Sequence, residues 1–125
     1  MKISERTFRS DRRFVVFSYG VTHGLLLLRS GKTDRRGSRI DLLIRDVRAL
    51  EIRSWFEGFE IAEGDKDDLI EFRSNPVQMI EPGNKIYILR GQAWEGFILG
   101  GTLSIHEDIE EFTAPSALIT GTVYR

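Results

Sequence analysis

"SRIDLLIRDVRALEIRSW", residues 38–55, fits two periodicities, and the choice between them decides the fold class. Read as a helix, Ile40, Leu43, Ile44, Val47 and Leu50 share one face, with Ser38 placed to cap the first turn and Asp41 three residues later. Read as strands, Ile40, Leu42 and Ile44 point one way and Asp41 and Arg45 the other, and Leu50 and Ile52 then alternate with Glu51 and Arg53. The helix leaves Leu42 and Ile52 on a polar face, whereas the strand pattern misplaces Leu43 alone. The strand reading is preferred, and a helix around residues 40–52, giving α+β, is the alternative.

The surrounding sequence favours sheet. "RFVVFSY" (13–19) is rich in β-branched and aromatic residues, which suit a pleated, half-buried surface. "KIYILRG" (85–91) places Ile86 and Ile88 on one face and Tyr87 and Leu89 on the other, as in a strand covered on both sides. "GGTLSIHED" (100–108) alternates, with Leu103 and Ile105 inward and Thr102, Ser104 and His106 outward. "ALITGTVY" (117–124) reads as a last strand broken at Gly121. Pro82-Gly83 has the chemistry of a hairpin turn between two apolar runs. "EIRSWFEGFEI" (51–61) is faintly echoed by "ILRGQAWEGFIL" (88–99), with Gly58 or Gly96 expected to form a tight turn. The expected architecture is all-β: one domain over residues 1–125, an antiparallel sandwich or barrel of about 8–10 short strands.

Composition bounds the rest. A chain of 125 residues, 41% hydrophobic and 30% charged, is long enough for one ordinary globular core. With no cysteine, disulfides, thiolate metal sites and thiol catalysis are excluded. The charged start "MKISERTFRSDRR" lacks the apolar run of a signal peptide. The longest aliphatic run, residues 25–28, falls far short of the roughly 20 residues of a membrane helix, so a cytoplasmic protein with no membrane partner is expected. Net charge is −1, yet residues 1–62 carry 13 Lys and Arg against 8 Asp and Glu, and residues 63–125 carry 5 against 11. Such a split suits a nucleic-acid partner, or two halves that attract each other. In a compact domain the second is favoured, and nucleic acid is not the expected partner.

The motif candidates are few. "SGKT" (30–33) ends like a phosphate loop, but Leu26 stands where glycine is required and "DRRGS" follows where a helix must begin. It reads as a polar turn. Arg29, Lys32, Arg35 and Arg36, with Arg9, Arg12, Arg13 and Arg39 nearby, form a candidate anion patch, which Asp11, Asp34 and Asp41 interrupt. The acidic "EGDKDD" (63–68) lacks the ligand spacing of an EF-hand and reads as a solvated turn. His23, and Ser104 with His106 on one strand face, are the candidate polar site, without a third group to complete a triad or a metal site. Trp55, Phe56 and Trp94 are the candidate interface, with Phe59 and Phe97 assigned to the core.

No catalytic set, cofactor or metal is therefore expected. The leading expectation is a small, non-catalytic β domain of bacterial type acting through contact with a protein partner or a second copy of itself. The alternatives are a small-ligand or acid–base enzyme with a pocket inside a barrel, and nucleic-acid binding through the arginine-rich first half.

Overall fold

In the computed structural model, which describes residues 7–119, the ambiguous stretch is two strands rather than a helix. In chain order the strands are β1 (Thr7–Gly20), β2 (Leu25–Ser30), β3 (Arg39–Ile44), β4 (Ala49–Glu51), β5 (Trp55–Gly64), β6 (Lys85–Gly91), β7 (Trp94–Gly100) and β8 (Leu103–Asp108). They form one antiparallel sheet in the order β4-β7-β6-β5-β1-β2-β3-β8. The fold is all-β, as the alternation predicts. Among the described residues no helix is long and apolar enough to cross a membrane.

The sheet is curled, and its order is open rather than that of a continuous barrel. Its two terminal strands nonetheless follow inner ones directly: β4 continues β3, and β8 continues β7. Arg45 N–H donates to Thr102 O at 3.0 Å, Gly101 N–H to Arg45 O at 2.7 Å and Arg48 N–H to Leu99 O at 2.8 Å, which ties the sheet's ends around one corner. The inner face buries Phe14, Leu26, Leu28, Ile40, Leu42, Ile44, Phe56, Phe59, Ile61, Tyr87, Leu89 and Ile98 in one core. A second, smaller cluster on the other face of β6 and β7 holds Ile86, Ile88, Phe97 and Leu99. It is covered by Leu69 of the single-turn helix α1 (Lys66–Leu69) and by Val77 of the 3₁₀ turn Pro76–Met79. Strand β6 is thus covered on both sides, which is why its sequence is a continuous apolar run.

Leu43 is not misplaced. It pairs with Leu27 on the outer face of the sheet, and both are buried. Residues 109–119 pass across this face and are held to β2 and β3 by side-chain hydrogen bonds.

Several local expectations are corrected. Gly58 makes no turn: it lies inside β5 at φ +77, opposite the register shift between Ser10 and Arg13 of β1, a bulge that needs a residue at ease with positive φ. Gly96 lies inside β7, paired with Leu89 and pressed against the Glu51 carbonyl. The hairpin of the second echoed segment turns instead at Gln92-Ala93. Pro82-Gly83 does turn, with Asn84 N–H donating to Glu81 O at 3.0 Å, but it leads from the 3₁₀ turn into β6 rather than joining two strands. Residues 63–68 are more than a solvated turn, because Asp65 and Asp68 build a reciprocal cap on α1. Ile105 pairs with inward-facing Leu42 yet is 46% exposed, since β8 ends the sheet and nothing covers it from beyond. Of the final strand expected over 117–124, residues 117–119 form a turn and the remainder lies outside the described residues.

Leu42→Ala, which empties a fully buried inner-face site, is expected to cost about 2–5 kcal/mol, and Ile105→Ala under about 1 kcal/mol. Chemical denaturation of the two variants measures the contrast. A helix over residues 40–52 would not separate them in this way.

Candidate functional site

The curl of the sheet lays one row of side chains across five strands of its outer face. Trp55 of β5 stands beside Val15 of β1, Val15 beside Arg29 of β2, Arg29 beside Asp41 of β3, and Asp41 beside His106 of β8. In the middle of this row Arg29 and Asp41, each 1% exposed, make a two-pronged ion pair, Nε to Oδ1 at 2.7 Å and Nη2 to Oδ2 at 3.1 Å. One register step further along, Arg39 grips Asp108 of β8 in the same way, with both bonds at 3.0 Å.

The guanidinium edges left over reach out to the chain that crosses above them. Arg29 Nη1 donates to Phe112 O at 2.5 Å. Arg39 donates to Glu111 O at 2.7 Å, Ala114 O at 2.8 Å and Pro115 O at 3.2 Å. Arg45 bridges Ser104 Oγ at 3.1 Å and Leu118 O at 3.0 Å. Lys32 completes the set, bonding Ile109 O at 2.9 Å and the Glu111 carboxylate at 2.8 Å. That hydrogen bond, with the lysine's charge, holds the Glu111 carboxyl below its ordinary value. Residues 109–118 thus form a strap held by cations on its main-chain oxygens.

"SGKT" is the turn its sequence predicts. Thr33 and Arg36 exchange backbone hydrogen bonds of 2.8 and 3.2 Å, and Thr33 Oγ1 accepts from the N–H groups of Arg35 and Arg36. Gly31 has a packing reason to be glycine: a Cβ there would come within 2.8 Å of Phe112 Cδ1. The Phe112 ring sits on that bare backbone and meets Phe17 edge-on at 5.2 Å, while Arg29 lies over the other face of the arrangement, 4.2 Å from the Phe17 centroid. Phe17 is 36% exposed.

Between this turn, β1 and the strap lies an open cleft of about 490 Å³. Arg12, Arg13, Arg29, Lys32, Arg35 and Arg36 line it, against the carboxylates of Asp11 and Glu57, and Val15, Gly31 and Phe112 supply apolar surface. The six cations differ in how free they are. Arg29 and Lys32 are committed to Asp41 and to the strap. Arg36 pairs with Asp11 at 2.8 Å. Arg12 closes one end of the core through Ser30 Oγ at 3.2 Å, Ser38 Oγ at 3.2 Å and Ser38 O at 2.5 Å. Burial, then the like charge of Arg36, lower its pKa, while Glu107 and Asp11 pull it back up. Among the described residues Arg13 and Arg35 have no carboxylate within ion-pair distance. Arg13 lies 4.5 Å from the centroid of the Trp55 ring, and Trp55 is 50% exposed.

The structure divides the expected site residues. Of the anion patch, Arg35 and Arg36 face the cleft openly, whereas Arg29 is buried and Lys32 serves the strap. Of the interface trio only Trp55 is on the surface. Phe56 is 2% exposed in the core, stacked near Phe14 and Phe59, and Trp94 packs on Phe56 at 5.1 Å with Arg53 over its ring. Phe56 is corrected from interface to core: it follows Trp55 on β5, so it faces the opposite way. The polar trio is not assembled. His23 is in the turn after β1, Ser104 accepts from Arg45, and His106 lies 3.6 Å from Asp108, whose oxygens Arg39 already holds. The hollow beside His106 is walled by Asp108, Glu110, Pro115 and Ala117, without His23 or Ser104. Among the described residues no group of three or more potential metal ligands is found.

Comparison with protein-family models, with curated proteins and with solved structures finds no match.

Two measurements test the charge network. Arg29→Met, which leaves Asp41 only its longer contact of 3.9 Å with Arg39, or Asp41→Leu, which leaves Arg29 without its carboxylate, is expected to cost about 3–5 kcal/mol, and the double substitution less than either single one. The Asp108 carboxyl gives the pH dependence. Burial pushes its pKa up, but the hydrogen bonds from Arg39 and Glu110 N–H, with the charges of Arg39 and His106, outweigh this and hold it below the usual carboxylate value. Its stabilising contribution is therefore complete above the unfolded value of about 3.9 and lost as pH falls through the lower folded one. Asp108→Asn is expected to give a flatter fall of denaturant midpoint below about pH 4 than the unaltered chain.

Proposed function

We propose that this chain is a non-catalytic β domain that works by contact with a protein partner, and that the cleft between β1 and the 31–36 turn takes an acidic segment of that partner. The observation that carries the reading is the excess of cations in the cleft, six against two, with Arg13 and Arg35 free of ion pairs among the described residues and the exposed Trp55 ring under the Arg13 guanidinium. Guanidinium groups bind carboxylates through paired, planar hydrogen bonds, and an exposed tryptophan next to them gives the contact an apolar anchor. The alternatives have less support. An acid–base enzyme would draw on His23 or His106, and neither lines this cleft. Nucleic acid would also meet a positive surface, yet the basic first half spends much of its charge on the acidic second half, Lys32 on Glu111, Arg39 on Asp108 and Arg48 on Glu81.

A fluorescent octaglutamate peptide titrated into the full chain at low salt serves as the probe. Binding is expected, weakening as salt rises, and Arg13→Glu with Arg35→Glu is expected to lower affinity at least about ten-fold. Arg48→Glu, outside the cleft, leaves it unchanged. A single-stranded oligonucleotide of equal charge binding more tightly than the peptide would move the assignment to nucleic acid, and absence of binding by either probe removes the cleft as a contact site.

A further inference from the structure

The strap is a worked example of how this face holds a peptide, and it specifies more than charge. Within it an acidic residue and an aromatic one are adjacent, Glu111 and Phe112. The carboxylate goes to Lys32 and the ring to the seat made by Gly31 and Phe17. The seated ring is only partly covered. Phe112 is 41% exposed and Phe17 36%, and Phe112 forms part of the wall of the open cleft. Arg13, which lines the cleft, repeats the pairing by stacking over the half-exposed Trp55 ring. The exposed surface therefore sets a cation beside an aromatic ring in both places.

We infer that the partner segment carries an aromatic side chain next to its acidic residues, the chemistry of the strap's own Glu-Phe pair. Its carboxylates meet Arg13 and Arg35, and its ring packs edge-on against the exposed Phe17–Phe112 pair. The specificity lies in that second contact, because a row of arginines alone accepts any polyanion, whereas an edge-to-face aromatic contact requires a ring at the right place in the ligand. This inference rests on the proposed acidic-segment contact and adds to it the aromatic requirement.

The test compares two fluorescein-labelled decapeptides of equal charge on the full-length chain, four glutamates around a single phenylalanine and the same sequence with alanine in its place. The phenylalanine peptide is expected to bind about five-fold more tightly, the gain of one aromatic pair. Phe112→Leu keeps a side chain on the Gly31 seat while removing the ring, and is expected to abolish that margin, so that the two peptides bind it alike. Circular dichroism and the denaturation midpoint of Phe112→Leu establish that it is folded, and Phe17→Leu provides an independent removal of the other ring. Equal binding of both peptides to the unaltered chain, still weakened by Arg13→Glu with Arg35→Glu, overturns the aromatic requirement and leaves the acidic contact standing. Binding of neither peptide overturns both.

Discussion

Arg29 and Arg39 lie almost without solvent contact on the outer face of a sheet, and the rest of the architecture follows from what two buried guanidinium groups require. Each needs a carboxylate for its charge and acceptors for the N–H groups that the carboxylate leaves over. Asp41 and Asp108 supply the first need from the neighbouring strands. The second comes from outside the sheet, from residues 109–118. The carbonyls of Phe112, Ala114 and Pro115 accept from the two arginines, and so does that of Glu111, which also takes the Ala114 N–H at 3.1 Å, because residues 109–118 run across the sheet without joining it. The strap is the counterpart of the arginines, supplying the acceptors that their carboxylates leave over.

The same requirement shapes the cleft. Bringing Phe112 O to Arg29 brings the Phe112 ring to Gly31, where any side chain would collide with it. The ring then walls off one end of the hollow and leaves part of itself and of Phe17 in solvent. The uneven charge of the two halves of the chain acquires its meaning here. The acidic second half contributes the strap, the basic first half the arginines and lysine that hold it, and Lys32, Arg39 and Arg48 each pair with a carboxylate of the second half.

Much of the fold was legible because one face or both faces of each strand are buried. Alternation in residues 38–55 distinguishes strand from helix, and the unbroken apolar run of β6 announces cover on two sides. Leu43 was the signal that went unread: a lone apolar residue on the polar side of β3 marks a second covering layer, and Leu27, one strand away, repeats it. What the sequence hid was non-local. The strap lies more than seventy residues from the arginines that hold it, and nothing about "EEFTAP" marks it as a covering segment. The glycines misled for a related reason. Gly58 and Gly96 share a sequence context, yet one relieves a bulge and the other a close approach, and neither function has a pattern distinct from that of a turn. The aromatic trio divided as it did because Trp55 and Phe56 are consecutive on one strand and must face opposite ways.

Counting arginines in a sequence treats each as an equal contribution to a surface field, whereas here they have three separate fates. Arg29 and Arg39 are structural, buried against aspartates and carbonyls. Arg12 and Arg36 are intermediate, one closing the end of the core and the other tied to Asp11 at the surface, where such a pair is worth little and yields readily to a competing anion. Arg13 and Arg35 have no carboxylate within ion-pair distance among the described residues, and they are the two that the proposed contact uses. An affinity resting on two free cations and one that can be recruited is modest and salt-sensitive, and such a field does not discriminate among anions. In the proposed contact, selectivity comes from the rings the strap leaves uncovered. The segment that neutralises the buried arginines is thus also the one that gives the open cleft a shape to recognise.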